Sequence, residues 1–419
     1  MKHLLVESQE IVLIHVKNGK AIQEVELPVI AEDIQVHAKI DANKKINNYE
    51  DVSIRAIVMH LWHIFIKKEK IMKTIRYIVF YICILLFISC KKDQDIIKQF
   101  PIITEIEPTF VPINEIIKIG SIHKLDNYII LRNIDQNAEY FFYVYSYPNF
   151  KYLYSFCPRG NGPEEYLMPS VIKNTPQNTF SFRDHATDQF VTYQLSDSSA
   201  HLIDKFYFRP DETHFFWEMN YIDKDIYLLK RNNSKSSYRE LWDLSSKTKL
   251  CNLPNTFNLE KEMGNEYYTE FDDVWISSNS NKMVFAYFFI NRIEFGTVCK
   301  NKIEIESHIG TNKHPKFYTF KKGKSGGKYE YNVDYNIVYY EFITCSNNYI
   351  YALFANKPWG ELEKKHSSII EIYDWKGRAN KLLHLKQNIS SFIVDDNEHT
   401  LYAINPDENE DVILKYQIK

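Results

Sequence analysis

No His-Glu-x-x-His and no Cys-x-x-Cys occurs in the 419 residues, so the local signatures of zinc peptidases and of dithiol redox proteins are missing. Cysteine itself is scarce, with six in the chain, and Cys157, Cys251, Cys299 and Cys345 are spread too widely to resemble a disulfide framework or a zinc site. Buried free thiols are expected. An excess of either charge is also missing: 51 Lys plus Arg stand against 54 Asp plus Glu, which leaves no field to attract nucleic acid. With 12 Gly and 14 Pro, no Pro/Gly-rich linker divides the C-terminal three-quarters of the chain. The longest uncharged apolar run, Tyr77 to Ile88, has twelve residues, well short of the roughly 20 that a bilayer-spanning helix needs. His60 and His63 lack carboxylate or Cys partners nearby, so no metal or other cofactor is expected.

That short run is nevertheless the feature that assigns an address. Lys73 and Arg76 give it a basic lead, and Ser89-Cys90 ends it before Lys91 and Lys92, the layout of an export signal. Phe87-Ile88-Ser89-Cys90 resembles a bacterial lipobox, with Phe87 where Leu is commoner. The resemblance implies cleavage before Cys90 and lipidation of its thiol, so the membrane would be a partner through that anchor. Several acyl chains at about 0.8 kcal/mol per buried CH₂ hold where one does not. Lys91 in place of Asp after the Cys favours the outer membrane. The expected divisions are an extra N-terminal segment at 1–71, a signal peptide at 72–90, a tether at 91–100 and a domain at 101–419. Residues 1–71 precede the signal, and Met72 is itself a plausible initiator. Within them, Ile11 to Val16 and Ala21 to Leu27 alternate around Asn18-Gly19, a hairpin pattern.

Aromatics reach 15%, with 30 Tyr and 27 Phe, suiting strands. They recur in pairs of short alternating segments: 127–131 with 141–145, 178–182 with 190–195, 225–229 with 238–244, 282–287 with 292–298, 349–354 with 368–375, and 400–404 with 412–418. Six units start about 45 to 70 residues apart, the size of a four-stranded blade with its loops and too long for a solenoid rung. No helical period of useful length interrupts them. The predicted class is all-β, a six-bladed β-propeller. Ser391 to Val394 gives the last unit a third strand, and Ile102 to Phe110 is free to supply the fourth by pairing with Val412 to Ile418, which removes an open edge.

Arg159-Gly160-Asn161-Gly162-Pro163-Glu164-Glu165-Tyr166, followed by Met168-Pro169-Ser170, stands apart from the repeat. With it the chain from Cys90 onward resembles the TolB-like six-bladed propeller lipoproteins, whose first blade is followed by a similar Gly-x-Gly-Pro-Gly-Glu-aromatic turn; Glu164 stands where Gly is usual. The resemblance implies fold and compartment, not a reaction. Gly160, Gly162 and Pro163 make a rigid connection between blades. Its functional reading places Arg159, Glu164, Glu165 and Tyr166 at the mouth of the channel as ligand contacts, with Arg183 from Arg183-Asp184-His185 as a further candidate. The structural reading of Arg183-Asp184-His185 is a satisfied polar cluster between blades.

Two functional classes follow. One is a non-catalytic binding or scaffolding propeller for a glycan, peptide or partner protein. The other is a polysaccharide-active glycosidase or lyase. Asp272-Asp273 and Asp395-Asp396 would serve it only if carboxylates faced one another across a cleft at about 5 to 10 Å. Neighbours on a strand point to opposite faces, so turn or solvent roles are expected for both pairs. Three or more acidic, His or Arg side chains gathered in one pocket would favour the enzyme.

Overall fold

The computed structural model describes residues 13–17, 20–25 and 98–418, apart from 117, 210–214, 233–236, 254–255, 258–272, 300, 314–316, 318–320, 323–328, 331–332, 398 and 406–408. The chain divides into two units, Met1–Lys92 and Asp93–Lys419. In the first, Leu13–Lys17 pairs antiparallel with Lys20–Val25, within a residue or two of the predicted hairpin. The export signal, Cys90 and most of the tether lie outside the described residues.

The second unit is a ring of six blades, each built around one of the aromatic strand pairs. Blade 1 runs outward from Ile119–Leu125 through Tyr128–Asn133 and Tyr140–Ser146 to Tyr152–Pro158. Blades 2, 3, 4 and 5 start from inner strands Pro169–Val171, Phe215–Asp223, Val274–Asn279 and Ile337–Cys345, and blade 6 from Ser391–Asp395. The predicted pairs are the second and third strands of their blades. Both faces of these strands are covered by neighbouring blades, so burial there is nearly continuous, as at Tyr128–Asn133 and Thr400–Asn405.

Glycine is too rare to fill every tight turn. Asp126, Lys224, Ser280 and His399 take positive φ, between 48° and 52°, at the turn from first to second strand in blades 1, 3, 4 and 6. Each costs about 1–2 kcal/mol relative to the right-handed region, offset by the ladder that the turn closes.

Six apolar clusters, one per junction between blades, form the core among the described residues. Phe142 and Phe156 meet Phe180, Phe182 and Tyr193 between blades 1 and 2. Ile404 and Ile413 meet Ile122, Ile129 and Leu131 between blades 6 and 1, which completes the circle. Tyrosines stitch the junctions with their polar ends: Tyr128 donates to Asp197 at 2.8 Å, Tyr147 to Asp395 at 2.7 Å and Tyr351 to Asp396 at 2.7 Å. A buried phenol ring contributes apolar area and its hydroxyl finds a partner across the seam.

The N-terminal strand divides where one strand was expected. Ile102–Ile106 adds in parallel to Ala379–Ile389 as a fifth strand of blade 5, and only Thr109–Pro112 pairs with the last strand, Lys415↔Thr109 through Val412↔Pro112. Pro108 lies between the two pieces; it has no N–H to give a ladder, and it restricts Glu107 before it. The chain therefore passes from one blade to the next at this point. Just upstream, Lys98 and Phe100 reach the seam between blades 4 and 5, with Phe100 tilted on Tyr373 at 5.5 Å.

Candidate functional site

The inner strands of blades 1 to 5 surround a cavity of ≈ 550 Å³. Ser121 and His123 enter it from the first strand of blade 1, two residues apart and so on one face, with Arg132 directly across the ladder from Ser121. Lys173 follows the inner strand of blade 2, and Glu218 and Lys230 come from the first two strands of blade 3. Asp273 and Trp275 come from the start of blade 4, with Phe288 after its second strand. Phe342 and Trp359 complete the wall from blade 5.

The charges are partly matched. Lys173 forms an ion pair with Glu218 and also donates to the Ile276 carbonyl at 3.1 Å. Lys230 lies 2.5 Å from Asp273 and donates to the Val274 carbonyl at 3.1 Å. Both ammonium groups lie over aromatic faces, Lys173 at 5.6 Å from the Phe342 ring centre and Lys230 at 5.8 Å from Trp275. Arg132 has no carboxylate partner among the described residues, and its buried Nε has no hydrogen bond. Burial, and then the charge of Arg159, holds its guanidinium below the ordinary value.

His123 Nε2 is 2.9 Å from Ser121 Oγ, a nucleophile and base within reach of each other. Burial first, then Lys173 and Arg132, depress the imidazole to about 3, so it is neutral at physiological pH. Such a ring is too weakly basic to take a serine proton effectively. Glu218 and Asp273 are each held by a lysine. The pocket thus has the count of ionisable groups that an enzyme would have, but its candidate base and both carboxylates are engaged or switched off.

The turn after blade 1 is built as a connection. Tyr166 is fully buried between blades 1 and 2, edge-on to Phe182 at 4.9 Å, with its hydroxyl 3.2 Å from that of Tyr193. It offers no surface to a ligand, a correction to the expected channel-mouth position: an aromatic ring gains more from the seam than from water. Gly160 takes φ +150°, Gly162 N–H donates to the Glu165 carboxylate at 2.8 Å, and Lys205 donates to the Pro163 carbonyl at 2.8 Å. Glu164 and Glu165 are exposed. Arg159 stacks on Phe141 at 3.7 Å and donates to the Asn133 carbonyl at 2.6 Å. It backs the cavity electrostatically through Arg132 without lining it.

Arg183 is buried in an ion pair with Asp188, and it donates to His185 Nδ1 at 3.0 Å. Asp184 accepts from the Met168 N–H at 2.7 Å and the Thr187 hydroxyl at 2.9 Å, so these bonds tie the trio to blade 2 and to the turn that leads into it. Asp395, the buried last residue of its strand, also pairs with Lys124 at 3.0 Å, whereas Asp396 stands in the turn that follows, and the two clamp opposite neighbours. Asp273, assigned a turn or solvent role from sequence, lines the cavity instead. Asp272 and Gly323-Lys324-Ser325-Gly326-Gly327, a Gly-x-Ser-x-Gly string, lie outside the described residues. Cys157 is buried, Cys251 and Cys345 are half-buried, and Cys299 is exposed rather than buried; all four are free. His123, Arg132, Lys173, Trp275 and Trp359 had no local signal, since they belong to separate blades and meet only when the ring closes.

The family model described as TolB-like 6-blade propeller-like matches residues 120–397. Among solved structures, a protein of Bacteroides fragilis described as exported is 13% identical, with a TM-score of 0.48, covering 76% of this chain and 99% of its own. The Cps50 (Swd1) β-propeller domain of Myceliophteria thermophila is 8% identical, with a TM-score of 0.44 and coverage of 74% and 100%. A luciferin-regenerating enzyme is 10% identical, with a TM-score of 0.41 and coverage of 74% and 94%. No curated protein matches the chain.

Proposed function

The chain belongs to the TolB-like 6-blade propeller-like family, and from that premise we propose a non-catalytic binding module, exported and held at the outer membrane by a lipid on Cys90. It receives a glycan, a peptide or an exposed part of a partner protein at the central cavity. The observation that carries this reading is the aromatic wall of Trp275, Phe288, Phe342 and Trp359, contributed by two blades to a cavity of ligand size. The anchor rests on the sequence around Cys90 alone.

A second reading is a polysaccharide-active enzyme. It is favoured by Ser121 beside His123 and by two carboxylates on the same cavity. The depressed imidazole and the lysine pairing of Glu218 and Asp273 weigh against it. Incubating the chain with neutral and acidic polysaccharides and with peptides decides the matter. Retention without new chain ends or unsaturated products supports the binding module; turnover lost in Ser121→Ala or Glu218→Gln establishes the enzyme instead. For the anchor, a Cys90→Ala chain is expected in the soluble fraction of the envelope, and its full retention in membranes would overturn that part.

A further inference from the structure

We infer that the ligand of the central cavity is a small sugar acid, with its carboxylate on Arg132 and its ring against the aromatic wall. This rests on the binding reading above and narrows it to a chemical class. Lys173 and Lys230 have carboxylate partners on the cavity, but Arg132 has none among the described residues, so one positive charge is left over. The surplus is local to blade 1. Among the described residues, the charges that act on His123 are Lys173 and Arg132, with no carboxylate among them.

Three groups share one face there. Ser121 and His123 are two apart on a strand, and Arg132 is the cross-strand partner of Ser121. A guanidinium with free donors binds a planar carboxylate through two parallel hydrogen bonds, and the Ser121 hydroxyl is close enough in register to add a third. The Arg132 side chain is half-buried, which strengthens such a charge pairing while leaving it open to salt.

The remainder of the ligand follows from the opposite wall. Trp275 Nε1 donates to the Tyr340 carbonyl at 3.0 Å and Trp359 Nε1 donates to Glu363 at 2.7 Å, so each indole has its polar edge occupied. What remains is ring surface, packed in part on Phe288, Phe289 and Phe342 and, at Trp275, beneath Lys230; the part that lines the cavity suits the C–H face of a pyranose. A cavity of ≈ 550 Å³ falls in the small-molecule range of about 300–1,000 Å³ and holds one or two sugar units rather than a folded partner. A uronic acid, free or at the end of an oligosaccharide, combines these features.

Titration calorimetry of the full chain with glucuronate, glucose and inorganic phosphate tests the inference. Glucuronate is expected to bind, at least tenfold more tightly than glucose or phosphate, and to lose tenfold or more in Arg132→Gln. Circular dichroism shows whether that variant is folded. In the unaltered chain, raising NaCl from about 50 to 500 mM should weaken glucuronate binding without affecting glucose, a readout independent of any variant. Glucose binding as tightly as glucuronate would overturn the sugar acid and leave the binding module intact. Phosphate binding as tightly would reduce the site to a general anion seat. Absence of binding by all three would also overturn the inference, while the polysaccharide and peptide panel above judges the wider reading separately.

Discussion

Lys98 and Glu371, far apart in sequence, form an ion pair at 3.0 Å with side chains only 11% and 4% exposed. The ammonium lies between the rings of Tyr340 and Phe354, 4.8 and 4.4 Å from their centres, and the carboxylate also accepts from the hydroxyls of Tyr340 at 3.0 Å and Tyr373 at 2.8 Å. The first described residues of the propeller are thereby locked into blade 5. Lys98→Ala should destabilise the domain by about 3 kcal/mol, because a buried carboxylate loses its counter-ion. Removing both charges in Lys98→Met/Glu371→Gln should recover much of that loss. Urea unfolding of the three proteins checks it; a double variant no more stable than Lys98→Ala would contradict the pairing argument.

Residues 101–112 provide outer strands to two blades, so their deletion exposes the edge of Asn409–Gln417 and the fifth-strand edge of blade 5 together. A marked fall in melting temperature is expected, with a greater tendency to aggregate through the bared edges. Removing residues 1–71 should leave the melting temperature unchanged. A chain lacking 101–112 that melts with the intact protein would show that the two pairings contribute little.

Tyr166 and Glu164 occupy one turn but should respond differently. Tyr166→Ala empties a fully buried site and is expected to cost about 3–5 kcal/mol, while Tyr166→Phe loses only the hydroxyl at 3.2 Å from Tyr193 and about 1 kcal/mol. Glu164→Ala, at an exposed position, should stay within about 0.5 kcal/mol. Denaturant midpoints for the three variants test this order.

Acid should loosen the fold through two histidines. His123 and His185 are depressed to about 3 and about 4 from an ordinary 6.5, both mainly by burial, so the folded chain keeps them neutral. Arg183 donating to His185 Nδ1 requires that nitrogen to be unprotonated. The unfolded chain binds their protons near pH 6.5 and the folded chain does not. Their contribution is therefore fully present above about pH 6.5 and falls as pH drops toward the folded-state values, for His123 by at most about 1.4 kcal/mol per pH unit. His123→Asn should flatten the decline in urea midpoint between pH 6.5 and 4; an unchanged slope would refute this assignment.

How far the sequence led can be traced at particular residues. Six aromatic strand pairs announced six blades because a strand declares itself locally: side chains alternate with period two, and a blade needs the same hairpin each time. Ser391–Asp395 was legible as an inner strand for the same reason. The split of the N-terminal strand was not, although Pro108 marks the break, because an edge strand can pair with any available edge and only the ring sets which one is near. Tyr166 was recognised as part of a blade connection, but its depth was not, since burial depends on the neighbouring blade.

The cavity belongs wholly to the tertiary structure. Ser121, Arg132, Lys173, Lys230, Trp275 and Trp359 span five blades and become neighbours only through closure. Whether an Asp becomes a seam clamp, as at Asp395, or a counter-ion on the cavity, as at Asp273, is decided by which partner the ring brings within hydrogen-bond reach. The sequence by itself determined the repeating unit and its number, because these follow from local backbone periodicity. The tertiary structure alone decided which charges are paired and which guanidinium is left, among the described residues, without a carboxylate, because Coulomb energy and desolvation depend on distance and burial, not on position along the chain.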